Sequence, residues 1–138
     1  MDSLQRAKVS VLIADDNLVP SELTALLGRP PRLGVSKGET FLASHGKKIK
    51  AQTGMWQFGG EWESPPQLDR QISEVLSVLT NDLSIWAEVT NRYFCDLSVG
   101  GYFHAWTGGM TLGPTTLQLL AERKLSIDFD LYAPAVSE

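Results

Sequence analysis

Gly108-Gly109-Met110-Thr111-Leu112-Gly113-Pro114 runs into a short Leu-rich segment and then into Leu125-Ser126-Ile127-Asp128-Phe129-Asp130-Leu131-Tyr132. Pro114 is placed to start a helix, because its fixed φ suits the first helical position and its missing N–H has no intrahelical acceptor to lose. The closing stretch puts Leu125, Ile127, Phe129 and Leu131 on one face and Ser126, Asp128, Asp130 and Tyr132 on the other. A strand with one dry and one wet face belongs to a sheet covered on one side only, not to a doubly wound sheet buried on both.

The beginning of the chain repeats the end in outline. Val9, Val11 and Ile13 alternate as a strand, Asp15-Asp16-Asn17 turns it, and Pro20 starts a helix carrying Leu23, Leu26 and Leu27 that Gly28 closes. Leu18, Pro20, Ser21, Leu23 and Leu26 match Leu112, Pro114, Thr115, Leu117 and Leu120 at one constant offset. Two related βαβ-like halves follow from that match.

Between them, Leu68, Ile72, Val75, Leu76 and Leu79 form a single helical stripe, and Asn81 and Asp82 stand ready to cap a second helix with Leu83, Trp86 and Val89. Trp56 and Phe58 alternate in a strand expected to stop at Gly59-Gly60, with Glu61 to Pro66 as connector. Tyr93, Cys95, Leu97 and Val99 alternate in another, with a bulge or turn expected at Gly100-Gly101. Arg32 to Thr53 is interrupted by Gly34, Gly38 and Gly46 and reads as one short strand and a mobile loop. The expected architecture is α+β: one domain over 1–138, its ordered core about 8–133, with a mostly antiparallel sheet of five or six strands and two to four helices packed on one face.

The run Leu18-Val19-Pro20-Ser21-Glu22-Leu23-Thr24-Ala25-Leu26-Leu27-Gly28, the Lys37-Gly38 pair, the Trp56 strand, and Gly109 to Pro114 with Leu125 to Tyr132 resemble the bacterial DUF4279 family of small domains of unknown function. The resemblance spans about Val9 to Tyr132. It implies an acid before the first helical proline and a serine before the second, each capping its helix. Here those positions hold Val19 and Gly113, so the first cap is lost and the second weakened by up to about 1 kcal/mol. The resemblance implies no activity, ligand or functional residue.

With 138 residues, a hydrophobic fraction of 43% and a charged fraction of 20%, the chain has the composition of a compact globular domain. A net charge of −4 and a pI near 5.1 argue against general nucleic-acid affinity, which draws on cations that neutralise phosphate. The lone Cys95, the absence of an apolar leader in Met1-Asp2-Ser3-Leu4-Gln5-Arg6 and the shortness of every apolar run predict a cytoplasmic protein with no membrane partner.

Chemistry-bearing residues are few. Asp15, Asp16, Asp128 and Asp130 would offer carboxylates to a hard cation if the first and last strands met. No calcium-loop spacing is present, so a turn and a solvated strand face are the preferred reading and no metal is assigned. His45, Lys47, Lys48 and Lys50 suit a phosphate or an acidic partner, or simply a solvated loop. His104 beside Phe103 and Trp106 reads as a half-buried imidazole, and Cys95, in an apolar row, as a core thiol. Trp56 and Trp86 fall on apolar periods and belong to the core. Trp62 and Trp106 are the tryptophans left for a binding surface. The expected function is a non-enzymatic domain, without cofactor, that binds another protein through its acidic surface as a monomer or homodimer. The alternative is a small-molecule or divalent-cation site on the Asp-rich sheet face.

Overall fold

The computed structural model describes residues 3–43 and 45–134. Its strands are β1 (Leu4–Asp15), β2 (Leu33–Val35), β3 (Thr40–Leu42), β4 (Lys48–Lys50), β5 (Gly54–Glu63), β6 (Phe94–Phe103) and β7 (Ser126–Tyr132). The helices are α1 (Pro20–Leu27), α2 (Leu68–Ser77), α3 (Leu83–Arg92) and α4 (Pro114–Glu122). Five strands form one sheet in the order β2-β5-β1-β6-β7, while β3 and β4 pair as a separate antiparallel ribbon. All pairs in the large sheet are antiparallel except β6 with β7. The fold is α+β with a mixed, mostly antiparallel sheet.

From Ala7 to Ile13 the odd-numbered residues of β1 face the helices, and a register shift between Leu4 and Arg6 brings Leu4 to the same side. Ala7, Val9, Val11 and Ile13 join Trp56, Leu97 and Val99 in one core with Leu23 and Leu27 of α1, Leu68, Ile72 and Leu76 of α2, Trp86 and Val89 of α3 and Leu120 of α4. Three polar groups of that core are hydrogen-bonded, while the buried Tyr93 hydroxyl has no partner among the described residues. The Trp56 indole N–H donates to the Thr24 hydroxyl, the Trp86 indole N–H to the Thr80 carbonyl, and the Gln71 amide to the carbonyl of Ala7. Asp82 caps α3 as expected, accepting from the Ser84 amide at 2.9 Å.

Several expectations are corrected. β1 already begins at Leu4, four residues before the expected ordered core, and Leu4 is buried. The segment 32–53 holds three short strands, not one. A turn at Gly38 (φ 90°) leads into Thr40–Leu42 and one at Gly46 (φ 80°) folds Lys48–Lys50 back onto it, and three-residue strands are too short to leave a readable period. β6 continues through Gly100-Gly101 because Gly101 is a close-packing position: a Cβ there would lie 3.1 Å from the Arg6 carbonyl oxygen.

The strand at Trp56 does not stop at Gly59-Gly60. It runs on to Glu63, with one extra residue in β5 between the pairs Ser10–Gly59 and Lys8–Trp62. Both glycines lie in the left-handed region, at φ 90° and 100°, and a Cβ on Gly59 would come within 2.8 Å of the Val9 carbonyl oxygen. Only glycine builds this bulge.

The two βαβ units differ in their pairing. β7 lies directly against β6, whereas β5 separates β2 from β1. Gly113 lacks a capping side chain of its own, but the Asp69 carboxylate of α2 accepts from the Gly113 amide at 3.0 Å and from the buried Thr116 hydroxyl. The weakened cap is thus replaced from another helix. Val19 of α1 has no such substitute.

Candidate functional site

Because all four helices lie on one face, the even-numbered residues of β1 from Arg6 onward and their cross-strand partners form an open face. Its rows are set by register. Trp62, Lys8, Gly100 and Asp130 line up across β5, β1, β6 and β7, followed by Gly59, Ser10, Ser98 and Asp128. Arg6 sits opposite Tyr102, which sits opposite Tyr132.

The bulge decides what this face carries. A one-residue slip moves a strand's side chains to the opposite face. The extra residue therefore brings Trp62, not Glu61, opposite Lys8, and sends Glu63 toward α2, where Arg70 holds it at 2.9 Å. Trp62 then packs against Tyr102 with centroids 5.8 Å apart, and Tyr102 stacks on Tyr132 at 5.3 Å. The Arg6 guanidinium lies 4.4 Å from the Trp62 ring and 4.6 Å from the Tyr102 ring, and Lys8 Nζ lies 4.9 Å from Trp62. Each such contact contributes about 0.5–1 kcal/mol at an exposed site. Neither cation has an acidic partner among the described residues.

Beside this aromatic row lies a groove of about 220 Å³, floored by Ser10, Ser98 and Gly100 and bounded by Lys8, Gln57, Asp128 and Asp130. The Lys8 stem crosses Gly100, where a Cβ would meet its Cε at 3.2 Å. The Tyr132 hydroxyl donates to Asp130 at 2.9 Å, and that bond, with the carboxylate's charge, raises the phenol's pKa. Next to the groove Asp96 is buried, with Ser98 donating to it at 2.9 Å. Burial pushes the Asp96 carboxyl up and the Asp128 charge adds to this, against the Ser98 hydrogen bond.

The structure brings only some of the expected residues together. Asp128 and Asp130 share the groove. Asp15 pairs with Gly54 at the far end of β1, about 17 Å along the strand from Ser10, with β6 between β1 and β7. Asp15 accepts from the Asn17 amide, and Asp16 is held below the usual carboxylate range by the Lys37 ammonium at 3.1 Å. No three His, Cys, Asp or Glu side chains gather to hold a metal ion among the described residues.

His45, Lys47 and Lys48 lie exposed at the tip of the β3–β4 ribbon, where His45 Nδ1 accepts from the Lys47 amide at 3.3 Å. Trp106 is 71% exposed and Trp62 41%. His104 is exposed rather than half-buried, since β6 ends at Phe103. Cys95 faces the Val89 carbonyl at 3.7 Å near the other end of β6, and burial pushes its thiol up to about 12, which favours the thiol form. Arg6, Lys8, Ser10, Tyr102 and Tyr132 are the site residues that sequence reasoning missed. Their signal was the mixed face of the first strand, with Arg6 and Lys8 at alternate positions before Ser10.

Among the described residues no helix is long and apolar enough to cross a membrane. Residues 5–134 match the family DUF4279, described as a domain of unknown function, which takes in the open face and the groove. No curated protein and no solved structure matches the chain.

Proposed function

We propose that this chain, which belongs to the DUF4279 family, is a non-enzymatic binding domain that engages another protein through the open face of its sheet. The observation that carries this reading is Arg6 held between Trp62 and Tyr102, with Tyr132 stacked beyond. Trp, Tyr and Arg are the residue types that carry most interface energy, and here they already stack on one another in the unbound chain. The acidic balance of the chain, −4 overall, suits a partner of basic charge around that centre. The lone, half-buried Cys95 is in keeping with a reducing, cytoplasmic setting.

The test is a pull-down from the source cell's lysate with the wild-type chain and with Arg6→Ala/Trp62→Ala side by side. A stoichiometric protein retained by the wild type and lost from the double variant is expected. A partner retained equally by both would move the contact surface off this face.

A further inference from the structure

We infer that the groove beside the aromatic row is a site for a small zwitterion of the free amino-acid class, with its carboxylate toward Lys8 and Ser10 and its ammonium toward Asp128 and Asp130. This goes beyond the protein-partner reading and does not depend on it.

Opposite charges line one groove without neutralising each other. Lys8 and the two aspartates make no ion pair, because the Lys8 ammonium is drawn onto Trp62 at 4.9 Å while Asp130 is engaged by the Tyr132 hydroxyl on the other side. A ligand that spans the gap must therefore carry both signs.

Ser10 supplies the second, independent observation. It is only 6% exposed, lines the groove, and its hydroxyl has no partner among the described residues, whereas the neighbouring Ser98 hydroxyl is committed to Asp96. Opening onto the groove without a protein partner, that hydroxyl is free to donate to an acceptor bound there. Size points the same way. The groove's 220 Å³ compares with a liquid-water share of about 30 Å³ per molecule, room for a ligand of amino-acid scale.

The test follows the backbone amide shifts of Ser10, Ser98 and Gly100 in ¹⁵N-labelled full chain while each common free L-amino acid is titrated in turn. Saturable shifts confined to the groove are expected for at least one of them. The N-acetyl and carboxamide derivatives of that amino acid, each lacking one charge, should bind about tenfold more weakly, the equivalent of about 1.4 kcal/mol. Lys8→Met and Asp128→Asn should each weaken the parent amino acid similarly. The two derivatives, titrated against the wild type, decide the matter even where a variant folds poorly. No saturable shift by about 10 mM, a Kd range already weaker than about 3 kcal/mol of binding, overturns the inference. So does equal affinity for the derivatives.

Discussion

The unit β1–α1–β2 and the unit β6–α4–β7 share their punctuation, yet their helices present different faces to the sheet. Leu23 of α1 is fully buried, while the leucine that matches it in α4, Leu117, is 51% exposed. In α4 the buried positions are Thr116 and Leu120, with Arg123 buried just past its end. That face is displaced by one residue from the buried Leu23 and Leu27 of α1, a rotation of about 100°. On its buried side α4 meets α2, whose Asp69 accepts from the Gly113 amide and the Thr116 hydroxyl, a contact that α1 lacks. Local signals set where a helix starts and stops, and its neighbours set which way it faces.

The largest effect should come from the matched leucines. Leu23→Ala is expected to cost about 2–5 kcal/mol, as for a fully buried leucine, and Leu117→Ala less than about 0.5, as for a surface site. Urea unfolding midpoints of the two variants check this, and equal costs would break the contrast between the helices. Next comes the borrowed cap. Asp69→Ala should lose about 1–2 kcal/mol in the same assay, since it removes a cap and strands the buried Thr116 hydroxyl. Val19→Asp, which restores the missing cap of α1 at an exposed and extended position, should gain about 0.5–1 kcal/mol.

The C-termini of the two helices sharpen the comparison further. Gly28 takes φ 91° after α1, and Lys124 takes φ 58° after α4, where Leu125 donates back to the Leu120 carbonyl. Gly28→Ala should cost about 1 kcal/mol from backbone strain alone, since nothing lies within 4 Å of its would-be Cβ. Lys124→Gly should gain slightly less than that.

The smallest effect is a pH dependence peculiar to the second unit. Burial raises the Asp96 carboxyl, so the folded state binds its proton more tightly than the unfolded state does. Its contribution then favours folding at acid pH and is lost as pH rises from the unfolded value through the raised folded one. Asp96→Asn, which still accepts from Ser98, should stabilise the protein at neutral pH and flatten the profile across that window. Thermal midpoints measured against pH check the sign, and a variant less stable than the wild type at neutral pH would contradict it.

Long periodic segments were legible from the residues. The stripe of Leu68, Ile72 and Leu76 and the alternation of Val9, Val11 and Ile13 each bury one face, and a periodic pattern records which face that is. The site was far less legible. Trp62 was marked for exposure, but with Glu61 and Glu63 it read as part of a connector. Asp128 and Asp130 were marked as a wet face, and nothing local tied them to Lys8, which lies two strands away.

The sequence by itself determined the class of fold, the proline starts of the first and last helices, the burial of Trp56 and Trp86 and the wet face of the last strand, because periodicity and punctuation along the chain record them. Only the tertiary structure decided that Gly59-Gly60 is a bulge within a continuing strand, that Asp69 caps a helix far along the chain, and that Arg6, Trp62, Tyr102 and Tyr132 meet. Each of those needs strands brought into register, and register is set by the packing of the whole sheet against its helices.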